Sequence, residues 1–421
     1  MRSRQRFWGI PGSSLVITVI LSLVIGLLCA AFVLGSYLLL LQRTVSNVED
    51  ALSRDMESSI DLVLEDDLPA GASERKAIDL FGTGNDSAYI REEIWGVYGV
   101  ATVKIALSGH TKDRSFFTGA LLPDTLDGCL FLSEHQRPLT LVGHTLLTGK
   151  AYLPKAGVKP GYIDQRGYAY TTLVNGDMER SGSALPVVDE ELLRKYVALQ
   201  ARDTTRKTGD PVPVELMQSF SDTVRLLKEH GMLEMSGVRL SGHVLVASDS
   251  LIVVDADTRL DNIVLTAPVI RFKAGFAGRV QAFGCDSVVA ESGCRFVYPS
   301  ILAVVKKAGS VYQTRLVLAD SCVLEGMVLA FCDSTDQDME YTEVGNGARI
   351  RGVLYTNGYL VLHGSVEGAT LADNFLYKDQ SVILENFLVD VQLNRAALPV
   401  SFAAPVLFKG RKRNRVVQWV N

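Results

Sequence analysis

Cysteine is scarce in this chain and poorly placed for a scaffold. Its six thiols, Cys29, Cys129, Cys285, Cys294, Cys322 and Cys332, contain no C-x-x-C pair and no metal-ligand spacing. So few in 421 residues exclude a disulfide-dense secreted module. Cys285 with Cys294, or Cys322 with Cys332, are the pairs close enough in sequence to bridge in an oxidising compartment; otherwise the thiols are small buried hydrophobes. Histidine is as sparse. The six at 110, 135, 144, 230, 243 and 363 show no metal spacing, and no HExxH, nucleophile elbow or phosphate-binding glycine loop occurs. A formal net charge of −5 gives no bulk attraction to nucleic acid. The sequence therefore implies no enzyme, no cofactor, no metal and no nucleic-acid partner.

Hydrophobic residues make up 48% of the chain, which excludes wholesale disorder. The longest run of them is at the N-terminus, where no charge occurs between Arg6 and Arg43. Leu15 to Leu41 exceeds the roughly 20 apolar residues that cross a bilayer as helix, and exceeds the h-region of a cleaved signal peptide. Arg2, Arg4 and Arg6 precede the span, whereas Glu49, Asp50, Asp55, Glu57 and Asp61 follow it. The positive-inside rule then leaves the N-terminus in the cytoplasm and the bulk outside the inner membrane. Ser14, Thr18, Ser22, Gly26 and Ala30 recur at four-residue steps, a small-residue ridge that permits helix association in lipid. Val45, Val48, Leu52, Met56, Ile60 and Val63 continue helical spacing beyond the bilayer, predicting a rod of roughly 75 Å.

A long N-terminal helix, half in lipid and half on a β domain, resembles that of type IV pilins and pseudopilins. The short basic leader and Gly12-Ser13-Ser14-Leu15 are similar to that family's start. The resemblance implies leader cleavage between Gly12 and Ser13. It departs from the family at the fifth mature position, where Ile17 replaces the usual glutamate.

The expected fold class is mainly β: a long N-terminal transmembrane and amphipathic helix, a middle antiparallel β domain and a C-terminal parallel β-helix. Expected boundaries are a cytoplasmic leader at 1–13, the span at 14–42, its helical extension at 43–67 and the β-rich middle domain at 68–185. A helical connector follows at 186–234, then the β-helix at 235–400 and a basic tail at 401–421 leading into a final strand, Val416–Val420. The connector is predicted from helical spacing over Val188–Ala201 and over Pro213–His230, where Leu216, Phe220, Val224 and Leu227 would share one face.

The β-helix is read from a recurring apolar-x-apolar-x-Gly-x-apolar motif, as in Val238-Arg-Leu240-Ser-Gly242-His-Val244. Its corner position falls at Gly242, Asn262, Gly278, Tyr298, Gly326, Gly352 and Gly364. Glycine or Asn supplies the unusual backbone angles of a corner, and repetition at about one coil length writes a parallel solenoid. The rhythm is similar to that of bactofilins, polymer-forming β-helix proteins; this chain's anchor, extra domains and interrupted coils remove the implication of end-to-end polymerisation.

Three charged clusters are candidates for chemistry or binding. Asp255, Asp257 and Asp261 could supply a polysaccharide-cleaving pair, and thus an alternative reading as a tethered enzyme. Asp333, Asp336, Asp338 and Glu340 offer oxygens to Ca²⁺ without the central glycine of an EF-hand. Lys409, Arg411, Lys412, Arg413 and Arg415 form a basic cluster near the C-terminus, suited to lipid phosphates or anionic glycans. The expected partners are the lipid bilayer, proteins reached through the membrane helix, and envelope glycans. The expected role is structural.

Overall fold

The computed structural model describes residues 13–65, 76–78, 86–107, 109–123, 126–163, 165–200, 212–306, 313–332, 340–379, 382–408 and 414–420. The chain is mostly strand, with one long apolar helix, an antiparallel sheet and a large parallel sheet that coils as a β-helix. Packing divides it into two units: Met1–Ser59 with Ala77–Tyr89 and Lys104–Lys112, and the remainder.

The helix α1 (Ser13–Glu65) runs unbroken for 53 residues, those up to Ser59 belonging to the first unit. The two halves of α1 differ in what covers them. From Leu15 to Leu41 the large apolar side chains are exposed on all sides, with Leu15 at 70% and Phe32 at 77%. Farther along, Leu52 and Met56 are buried, and Lys112 Nζ donates to Ser53 Oγ at 3.0 Å. The burial follows the four-residue step of the sequence.

Four strands follow: β1 (Lys76–Ile78), β2 (Asp86–Trp95), β3 (Tyr98–Leu107) and β4 (His110–Ala120). They join the C-terminal strand Asn414–Val420 in the order β1-β2-β3-β4-C-terminal strand. That last strand runs antiparallel to β4, pairing Trp419 with Phe116, whose rings lie 5.2 Å apart. The end of the expected basic tail is thus an integral strand; Lys409 and Arg411–Arg413 lie outside the described residues.

In the second unit, parallel strands wind into a solenoid. The first coil is Glu215–Gln218, Arg225–Glu229 and Met232–Met235, in register with Arg239–Gly242, Val244–Ser248 and Leu251–Val254 of the second. Later coils stack in the same sense through Arg259–Thr266, Ala277–Gly284, Arg295–Val305, Val323–Phe331, Arg349–Leu362 and Ser365–Lys378. Alternation assigns successive residues to two cores. Val244 and Val246 point into the solenoid, where they pack with Leu240, Ile252 and Ile263. Leu245 and Ala247 point outward and pack with Tyr196, Phe220 and Phe283. Because both faces of these strands are buried, they read as continuous apolar runs.

Two expected boundaries are corrected by the strand pairing. Residues placed in the middle domain complete the solenoid instead. Leu130–Leu132 pairs parallel with Thr370–Ala372, Leu139–Val142 with Phe387–Val389, and Leu146–Thr148 with Gln392–Asn394. Val174–Asn175 and Met178–Arg180 then add beneath Leu146–Thr148 and Ala151–Leu153. An early segment of the chain therefore caps the late end of the stack. The connector is also corrected. Among its described residues it contains one helix, α2 (Glu190–Ala198), with Asp189 as its N-cap, and Pro213–His230 forms strands rather than helix. Its predicted apolar face is split between environments: Phe220 joins the outer core, Leu227 the inner one, and Val224 is 47% exposed. Pairing with the second coil outweighs the local period.

Candidate functional site

The apolar half of α1 carries the small-residue ridge. Ser14, Thr18, Ser22, Gly26 and Ala30 are all exposed. Their hydroxyls turn back onto the helix: Thr18 Oγ1 donates to the Ser14 and Leu15 carbonyls at 3.1 and 2.9 Å, and Ser22 Oγ to Val19 at 2.9 Å. A side chain built at Gly26 would meet nothing within 4 Å. With the Thr18 and Ser22 hydroxyls satisfied, the ridge presents a smooth face of the form that tolerates hydrocarbon. Gly12 lies outside the described residues, and Ser13 opens α1.

At the corners of the solenoid the expected residues separate into three groups. Gly242, Gly326 and Gly352 adopt φ of +90°, +139° and +142°, and a Cβ on any of them would lie within 2.0 Å of a carbonyl oxygen in the preceding coil. Asn262 takes the left-handed conformation at φ +61° where the ladder bulges, between Asp261 and Ile263. The other two, Gly278 and Gly364, are not corners. Gly278 lies in register with Phe296, in the inward column, where a Cβ would strike the Phe276 ring at 2.7 Å. Gly364 packs against the Ala348 carbonyl; the true corner of that coil is Gly368, at φ +150° and in register with Gly352. Gly368 keeps only part of the motif, since Gly364 and Thr370 stand at its outer apolar positions and Val366 alone matches. Ser300, in register with Gly326, takes the corner assigned to Tyr298.

Of the carboxylates singled out as acid–base candidates, Asp257 and Asp261 are engaged by the fold, and the Asp255 backbone amide donates to the Met235 carbonyl at 2.9 Å. Asp257 accepts from the Gly237 amide at 3.0 Å, tying a turn to the preceding coil, and Asp261 pairs with Arg279 at 2.5 Å. Residues 333–339 and the Glu340 side chain, the calcium candidates, lie outside the described residues. No group of three or more His, Cys, Asp or Glu side chains that could hold a metal ion occurs among the described residues.

Sequence reasoning missed a cleft of about 640 Å³ within the second unit. Its walls come from β2 (Arg91, Glu93, Trp95), α2 (Leu192, Lys195, Tyr196), the first coil (Val224, Leu226) and the second coil (His243, Leu245). Long-range pairing assembles it from four separated segments, so no local motif announces it.

The cleft floor is a hydrogen-bonded aromatic junction. The β2–β3 turn places Gly96 at φ +62°, where a Cβ would collide with Gln281. Gln281 accepts from the Val97 amide at 2.9 Å and donates to the Trp95 carbonyl at 3.0 Å. Trp95 Nε1 donates to the carbonyl of Asn262 at 2.9 Å, so one solenoid corner also anchors β2. Tyr196 accepts from the Gly96 amide at 2.7 Å and stacks on Phe283 at 4.7 Å; burial pushes its phenol above the usual range. His243 is 2% exposed, edge-on to Trp95 at 4.6 Å and stacked on Phe220 at 5.0 Å. Its Nδ1 lies 3.0 Å from the Asp222 carbonyl, a contact that requires the proton on Nδ1, and its Nε2 lies 3.4 Å from Glu93 Oε1. Burial holds the imidazole below its ordinary value, opposed by the Glu93 charge. Glu93 is held by Arg91 at 2.9 Å. Packed between Trp95 and Phe220 and bonded through Nδ1 to the Asp222 carbonyl, His243 ties the second coil to β2 and the first coil.

No described protein family and no curated protein matches this chain. Among solved structures, the competence-associated pilin ComZ from Thermus thermophilus matches at 10% identity, over 83% of this chain and 86% of that one, with a TM-score of 0.25. A likeness of that size carries no structural argument.

Proposed function

We propose that the chain is a non-catalytic, membrane-anchored envelope protein with a structural or assembly role, in the manner of a minor pilin-like subunit of a filament or secretion-type system. The observation that carries this reading is the bare surface of α1. Every large apolar side chain from Leu15 to Leu41 is exposed. Leaving such side chains in water costs on the order of 1.5–3 kcal/mol each, so the segment requires lipid or a protein partner around it. A helix this long and apolar is consistent with an anchor or a signal sequence by composition. Continuity with the buried stripe at Leu52 and Met56 favours the anchor, because the helix that enters the bilayer is the same one that packs in the first unit.

In this reading the basic N-terminus remains in the cytoplasm and the β-rich bulk lies outside the inner membrane. The small-residue ridge meets other membrane helices, and the solenoid surface meets envelope partners, glycans among them. Two of the three carboxylates considered for catalysis, Asp257 and Asp261, are held in contacts between coils, which supports a role without chemistry.

Three measurements test the proposal. The full chain is expected in membranes after alkaline carbonate washing. A phosphatase fused after Glu65 is expected to be active, and a cytoplasmic reporter at the same site silent. A mature N-terminus at Ser13 supports the filament role, and an intact Met1 removes it. Recovery of the intact chain in the soluble cytoplasmic fraction overturns the whole reading.

A further inference from the structure

The second unit places two cysteines side by side that sequence proximity alone would not pair. Arg295 and Val323 are register partners on adjacent coils, so Cys294 and Cys322, one residue earlier, are partners as well. The Val323 amide donates to the Cys294 carbonyl at 2.9 Å, locking that alignment. Both side chains point into the inner core and both are fully buried, each thiol donating to a carbonyl of the preceding coil, Cys294 Sγ to Lys273 at 3.2 Å and Cys322 Sγ to Glu291 at 3.1 Å. The column continues with Phe276 on one side and Ala348 on the other, so each thiol has the other as its sulfur neighbour in the stack. The remaining thiols are placed elsewhere. Cys285 belongs to the outer core, Cys332 follows the strand Val323–Phe331 beside Asn357, and Cys129 sits in a coil formed by the early part of the chain. Neither pair expected from sequence spacing, Cys285 with Cys294 or Cys322 with Cys332, shares a column.

From this geometry we infer that Cys294 and Cys322 form a disulfide that staples two successive coils when the chain folds in an oxidising compartment. Directly paired residues on neighbouring parallel strands sit about 4.8 Å apart, inside the Cα range a disulfide accepts. The oxidant is a disulfide, either low-molecular-weight or carried by a protein. The Cys322 thiolate attacks one of its sulfurs and expels a thiolate. The Cys294 thiolate then attacks Cys322 of the mixed disulfide and expels the second. Two protein thiols are oxidised to one cystine, one disulfide oxidant is reduced to two thiols, and the two protein protons leave with them. Full burial requires the exchange to occur while the coils are still closing. That the bond forms in the cell rests on the proposed placement of the solenoid outside the inner membrane.

The experiment uses the full-length protein in detergent, in two arms. In one, denatured and reduced chain is refolded with oxidised and reduced glutathione. In the other, chain taken directly from membranes is blocked with N-ethylmaleimide. Both are digested without reduction and mapped by mass spectrometry. The expected result in each arm is a linked peptide pair containing Cys294 and Cys322, with four of the six thiols alkylated. The link is expected to vanish in Cys294→Ala and in Cys322→Ala, and the partner left behind to become alkylated. A link in the refolded arm with six free thiols in the membrane arm overturns the bond in the cell and counts against the proposed compartment. Six free thiols after refolding, or a link between other cysteines, overturns the pairing itself whatever the compartment.

Discussion

Replacing Gly352 with alanine tests the solenoid most directly. Gly352 sits at φ +142°, a region open in practice to glycine alone, and a Cβ there would lie 1.9 Å from the Gly326 carbonyl oxygen. That is more than 1 Å inside the 3.0 Å limit of real contacts, and the obstacle is backbone, which cannot rotate away. The backbone strain costs about 1–3 kcal/mol. Pushing the coils apart also weakens the neighbouring inter-coil hydrogen bonds, at about 1 kcal/mol each. The expected loss is therefore roughly 3–5 kcal/mol. Gly293 provides the control, with φ +74° and nothing within 4 Å of an added methyl group, so its alanine variant carries only the left-handed penalty of about 1–2 kcal/mol. Thermal and urea unfolding of both full-length variants in the same detergent, followed by circular dichroism and tryptophan fluorescence, reads the difference. If Gly352→Ala is no more destabilising than Gly293→Ala, the stacked-corner argument is wrong.

Other positions give smaller, signed expectations. Asn262 at φ +61° should tolerate glycine, whereas Asn262→Ala should cost about 1–2 kcal/mol, read as a lower unfolding midpoint. Arg351 lies between Glu325 at 3.3 Å and Glu367 at 2.9 Å and is 43% exposed, so Arg351→Ala should cost no more than about 1 kcal/mol, and the loss should shrink with added salt. His243 has its folded-state pKa below the ordinary 6.5 because it is buried. As pH falls through that value the unfolded chain takes up a proton that the folded chain refuses, so stability declines until the folded imidazole also protonates. Arg91, Glu93 and Asp222 are the charged groups around it, and His243→Gln should flatten the decline in a series of melts from neutral to mildly acidic pH. An arginine in place of Val24, near the middle of the apolar run, should lower membrane recovery, since a central charge costs about 2.5–3.5 kcal/mol on insertion.

Periodicity gave reliable guidance wherever a residue's fate depended on near neighbours. The apolar run fixes an uninterrupted α1, the step from Leu52 to Met56 marks its buried stripe, and the spacing from Gly326 to Gly352 marks true corners, because each follows from one period and one kind of surface. The sequence alone could not order the coils. Leu130–Leu132 and Leu139–Val142 look like any short alternating strands, and only parallel pairing with Thr370–Ala372 and Phe387–Val389 makes them the far end of the solenoid. Pro213–His230 carries a helical period, yet a free coil edge outweighs it, since backbone pairing along three strands exceeds a propensity difference of tenths of a kcal/mol per residue. The His243 junction and the Cys294–Cys322 column were hidden for the same reason. Hydrophobic pattern is local and can be read along the chain, whereas the register that joins distant residues is decided by which edges the folded chain brings together.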